Sequence, residues 1–113
     1  MNEKINEIFN KEFFKNMFLV ECDSMKPHLK KGDIAIYEPM QLNRRVGASV
    51  YILKMHGETF VSRVQFMARG GIQLIFDDEE STNEMISKEE LKDVVFVGHV
   101  IGRILKDYSL YGF

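Results

Sequence analysis

At residue 17 the hydrophobic pattern of this chain changes period, and that change restricts the fold more than any other feature. Upstream, Ile5, Ile8, Phe9, Phe13 and Met17 recur at a spacing near three and four, and Phe14 widens the stripe. This pattern predicts an amphipathic helix over residues 3–17. Downstream the alternation has period two and is cut repeatedly by turn signals. Residues 18–22 read as a strand broken by Asp23-Ser24-Met25-Lys26-Pro27, because proline cannot donate to the ladder of a central strand. Gly32-Asp33 turns into a strand at 34–37, which stops at Pro39. Residues 40–47 read as a loop, and Val50 to Leu53 as the next strand. His56-Gly57 is a hairpin signal leading into 59–66, and Gly70-Gly71 leads into 72–76. Residues 77–83 are acidic and polar and read as a solvated loop. Ser87-Lys88-Glu89-Glu90 matches a capping box, and 94–104 is a long closing strand. The expected architecture is a mainly β domain of antiparallel strands over 18–113, with the helix of residues 1–17 packed on it. The alternative for that helix, with its many phenylalanines, is a surface offered to a partner chain.

Composition narrows the function. The 113 residues match one domain. Fifteen basic against seventeen acidic residues give a net charge of -2, so the domain lacks the basic face that draws in nucleic acid. A single cysteine, Cys22, forbids an internal disulfide and fits a reducing cytoplasm. No apolar run approaches the ~20 residues of a membrane span, and the polar opening Met1-Asn2-Glu3-Lys4 is unlike a signal peptide. Asp77, Asp78, Glu79 and Glu80 are contiguous and lack the spacing of a calcium loop. One cysteine and scattered histidines give no zinc pattern. No metal or cofactor is expected.

Three elements occur in order. Asp23-Ser24-Met25-Lys26-Pro27 is followed by Leu29 and Gly32-Asp33, then Gly57-Glu58 with Val61-Ser62-Arg63-Val64, then Val97-Gly98-His99-Val100-Ile101-Gly102-Arg103. Over residues 17–105 this series resembles the C-terminal domains of LexA and phage repressors, which share a fold with bacterial signal peptidases. The resemblance implies a compact, β-barrel-like fold. It also implies that Ser24 stands at the nucleophile position, and that the lysine base of a Val-Lys-Arg-like strand is replaced here by Ser62.

A serine hydroxyl is a weak nucleophile until a base takes its proton, and a lysine serves only when burial lowers its pKa. Alternation puts Ser62 on the face of Phe60, Val64 and Phe66, where an amine would be desolvated. A second hydroxyl can hydrogen-bond Ser24 but not deprotonate it. Of the remaining candidates, His28 is four residues from Ser24 and reads as a loop histidine, His56 as a turn residue and His99 as a strand residue. Lys54 would need a shift of register. Active repressors of this family also cut themselves at an Ala-Gly pair, and this chain has none.

The expected function is a non-catalytic regulatory or dimerisation domain of the phage-repressor type. It would form a homodimer and reach DNA only through a separate head domain. Residues 94–104 and the N-terminal phenylalanines are the candidate self-association surface. The alternatives are a serine peptidase with Ser24 and an unconventional base, or a module binding a peptide in a vestigial groove.

Overall fold

The computed structural model describes residues 16–39 and 48–113. The expected helix therefore lies outside the described residues except for its last two positions, Asn16 and Met17, and so does the expected loop containing Asn43, Arg44 and Arg45. Met17, assigned by periodicity to that helix, instead opens the first strand. The strands are β1 (Met17–Leu19), β2 (Ile34–Pro39), β3 (Ala48–Met55), β4 (Glu58–Phe66), β5 (Ile72–Ile75), β6 (Glu84–Ile86), β7 (Val95–Ile104) and β8 (Leu110–Gly112). They form one antiparallel sheet in the order β1-β2-β7-β3-β4-β5-β6, with β8 paired to β7. The mainly β, antiparallel fold expected from the sequence is the one observed.

Local chemistry explains the turns. Between β3 and β4 only His56 and Gly57 intervene, both with positive φ, 53° and 79°. That is the two-residue hairpin geometry whose twist suits antiparallel strands. The capping box forms as well. Glu90 N–H donates to Ser87 Oγ at 3.1 Å and Ser87 N–H donates to Glu90 Oε1 at 3.2 Å, starting one 3-10 turn over Glu90–Asp93. The Ser87 backbone N–H first, and then the Ser87 hydroxyl, hold the Glu90 carboxyl below its ordinary pKa.

The core has two main parts because the central strands are buried on both faces. On β3, Val50 and Ile52 pack with Val20, Met25, Leu29, Ala35, Val61 and Val100. The alternate residues Tyr51 and Leu53 pack with Val64, Ile72, Leu74 and Ile86. A flat sheet with one wet face could not do this. The sheet curls, so that loop 20–33 covers one side of β3 and β4 while β5 and β6 fold over the other.

The long strand β7 crosses from β2 to β3, with register shifts beside Ile36/Tyr37 and Ile52/Leu53. Gly98 sits at this crossing. A Cβ there would meet the Tyr37 ring and lie 2.6 Å from the Glu38 carbonyl oxygen, and backbone cannot yield as a flexible side chain can. Gly98→Ala is expected to lower stability by about 1–3 kcal/mol. An unchanged chemical-denaturation midpoint would contradict that packing.

Candidate functional site

The site is built on a loop closed at its own base. Val20 N–H donates to Asp33 O at 2.9 Å and Gly32 N–H donates to Val20 O at 2.8 Å, with Gly32 at φ +96°. Asp33 is buried and accepts from Lys30 N–H at 2.8 Å and from Lys106 N–H at 3.0 Å, which clips the loop to the chain beyond β7. Inside the loop, Met25 and Leu29 form an isolated bridge and are almost wholly buried. Asp23 accepts from Lys31 N–H at 2.9 Å, and that bond, with the nearby lysines, lowers its pKa against the opposing effect of desolvation. Ser24 is thus held in a tight turn between an exposed aspartate and a methionine anchored in the core.

The Ser24 hydroxyl lies 3.3 Å from the Cys22 thiol, and its carbonyl accepts from Asp78 N–H at 3.0 Å. It lines a cleft of about 30 Å³ with Cys22, Met25, Thr59, Phe60 and Val61, space for about one water molecule. Strand β4 therefore approaches Ser24, and the cleft lining stops one residue short of Ser62.

Ser62 itself is fully buried. Its register partner is Tyr51, and its face-mates Phe60, Val64 and Phe66 belong to the second core cluster, as alternation predicted. Its hydroxyl donates to the Arg63 carbonyl at 3.0 Å and, more weakly, to the Ile75 carbonyl at 3.5 Å. No hydrogen bond among the described residues joins Ser62 to Ser24. The serine–serine contact allowed by the sequence is replaced by serine-to-backbone bonds, which satisfy a polar group inside an apolar cluster.

The other candidate bases are accounted for. His28 is 51% exposed, with Nδ1 2.9 Å from Asp77 Oδ2. His99 Nδ1 lies 3.5 Å from Glu38 Oε1 and its ring tilts against Tyr51. His56 is the exposed turn residue already described, and Lys54 is exposed on β3, paired with Thr59 and Val95. None has a described hydrogen bond or ion pair with Ser24. Among the described residues, no group of three or more metal-ligating side chains is assembled. No described helix is long and apolar enough to cross a membrane.

Sequence reasoning missed Asp77. Read as part of a solvated acidic run, it is only 11% exposed. Its two oxygens accept from Arg63 Nε at 3.0 Å and Arg63 Nη2 at 2.9 Å, a bidentate fork. Burial pushes the Asp77 carboxyl up, but the Arg63 hydrogen bonds and charge, with His28, outweigh it and hold its pKa below the ordinary value. Arg103 Nη1 donates to the His28 carbonyl at 2.6 Å. The serine loop is thereby tied to β4, β5 and β7 through side chains. A signal was available: Gly70-Gly71 fixes the register Arg63↔Ile75, which leaves Asp77 diagonal to Arg63.

A curled antiparallel sheet presenting a serine on a Met-x-Pro turn defines the class of the LexA-like peptidase folds. The sequence matches the Peptidase S24-like family model over residues 5–101, and the chain belongs to that family, which includes the C-terminal domains of LexA and phage repressors. No curated protein matches the chain.

Proposed function

We propose that this domain holds rather than cuts, acting as a non-catalytic regulatory and dimerisation domain of the phage-repressor kind in the cytoplasm. The observation that carries the reading is the surroundings of Ser24. Its hydroxyl has one described side-chain partner, the Cys22 thiol, and Ser62, at the position of the family's lysine, offers no base. In this reading the Ser-Met-x-Pro turn survives because Met25 and Pro27 shape the loop. Two copies would pair and set the spacing of two DNA-binding heads carried elsewhere.

A serine-reactive fluorophosphonate tests the absence of nucleophilic chemistry. The expected result is equal labelling of the wild type and Ser24→Ala. Sedimentation tests the pairing: a dimer is expected, and a strict monomer at high concentration would sink the dimerisation role.

One observation favours a second reading, a peptidase with an unconventional base. The His28–Asp77 contact has the form of a carboxylate orienting an imidazole, on the same loop as Ser24. Labelling that is lost in both Ser24→Ala and His28→Ala would select it. A third reading, peptide capture in the small cleft by strand addition, predicts enrichment of one short motif in a pull-down.

A further inference from the structure

A second groove, which shares no lining residue with the Ser24 cleft, opens where the β4–β5 turn meets β6. Strand register builds it. Phe66 pairs with Ile72 and Ile72 with Ile86, and this row packs in the second core cluster. Alternation turns Met85, one residue before Ile86, to the other side of the sheet, where it is 59% exposed. Met67, one residue past Phe66, is 38% exposed. Met67 N–H donates to Gly71 O at 2.9 Å and Gly70 N–H donates to Met67 O at 3.0 Å, which closes the turn. A Cβ on Gly71 would lie 2.5 Å from the Ile86 carbonyl oxygen, so only glycine lets the turn and β6 approach this closely. The hollow they border measures about 620 Å³, against about 30 Å³ beside Ser24. Small-molecule sites commonly occupy about 300–1,000 Å³.

The lining combines apolar walls with charge. Met67, Ala68, Met85 and Ile86 supply hydrocarbon, and the unbranched thioether of methionine adapts to irregular apolar ligands. Arg69 and Lys88 supply two cations. The Lys88 stem packs on the turn, with Cδ 3.0 Å from the place of a Gly70 Cβ, so part of its rotamer freedom is already lost. Among the described residues neither cation has a side-chain hydrogen-bond or ion-pair partner. The two carboxylates of the lining are unequal. Glu90 is engaged in the capping box, where it accepts from Ser87 N–H at 3.2 Å, whereas Glu89 has no described partner. An incoming anion therefore meets two unpaired cations and one competing carboxylate.

We propose that this groove binds a small alkyl carboxylate, its chain against Met67, Met85 and Ile86 and its carboxylate on Arg69 and Lys88. The apolar walls favour hydrocarbon, which is where the binding free energy of such a ligand resides. The cations select the head group, since a guanidinium and an ammonium donate charge-assisted hydrogen bonds to a carboxylate. A neutral or cationic amphiphile would leave both unpaired. The inference is independent of whether Ser24 is reactive, because the two sites have separate linings.

Titration of the full chain with decanoate, below its micelle concentration, tests this through the methyl NMR signals of the methionines. Met67 and Met85, assigned by Met67→Leu and Met85→Leu, are expected to shift saturably while Met17 and Met25 stay still. Decanoate should bind about tenfold more tightly than decanol, the neutral analogue. The double variant Arg69→Gln/Lys88→Gln changes only exposed side chains and should erase that preference while retaining decanol binding. Glu89→Gln should tighten decanoate by about twofold, as removal of a screened like charge requires. Equal affinity for decanoate and decanol would overturn the proposal, leaving an apolar surface without anion selection. Shifts at Met17 equal to those at Met67 would mean unspecific adsorption and would overturn it too. Met67 and Met85 signals that move with protein concentration alone, and not with decanoate, would assign the groove to a second copy instead.

Discussion

Asp77→Ala is expected to lower stability by about 2–4 kcal/mol, because it strands the half-buried Arg63 guanidinium without its bidentate partner. The effect should exceed that of His28→Ala, since His28 is half exposed and its contact with Asp77 is screened. The acid limb of the stability curve carries a further signature. The Asp77 carboxyl is held below its ordinary pKa, so the ionised form favours the folded state. Its contribution is complete above the unfolded value, near ~3.9 for aspartate. It is lost as the pH falls through the lower folded value. Urea melts from about pH 6 down to about pH 2 should show wild type and Asp77→Ala converging toward the acid end. Parallel curves would show that Asp77 is not linked to folding.

Ser62→Lys is expected to raise fluorophosphonate labelling of Ser24 by about a hundredfold, the lower range for a positioned general base. The site is fully buried, so a lysine amine there is desolvated and its pKa falls toward neutrality. Phe60, two residues back on the same face of β4, lines the Ser24 cleft, and Ser62 Oγ faces the Ile75 carbonyl, three residues before the Asp78 N–H that donates to Ser24 O; a four-carbon side chain from position 62 is therefore within range. The cost in stability is about 2–3 kcal/mol, from added volume in a packed face and from a buried amine. Ser24→Ala in the same background should abolish the gain. If the variant still melts cooperatively and labels no faster than wild type, the side chain at 62 does not reach Ser24, and the correspondence with a lysine base fails.

The parts of the fold written in local chemistry were legible in the sequence. His56-Gly57 supplies the two positive φ values of its hairpin, and Ser87 with Glu90 closes the capping box. The alternation of Phe60, Val64 and Phe66 placed Ser62 on an inward face before any coordinate. Strands β6 and β8 were not legible, since three residues each are too short for a period to show. The double burial of β3 was also hidden. A continuous run such as Val50-Tyr51-Ile52-Leu53 does not say that its two faces enter different clusters. Asp77 was missed because composition reports the character of a segment, whereas burial depends on which carboxylate the register brings beside Arg63. The surroundings of Ser24 depend on Cys22 and Thr59, which no motif would have joined.

The closed base of the serine loop has an evolutionary corollary. Because Val20, Gly32 and Asp33 seal it with backbone bonds, and Met25 and Leu29 moor it, the hydroxyl of Ser24 bears no structural duty among these ties. Folding and reactivity are thus written in separate letters of the same short phrase. A lineage can rewrite the reactive letters one at a time and inherit an intact scaffold, free for another use.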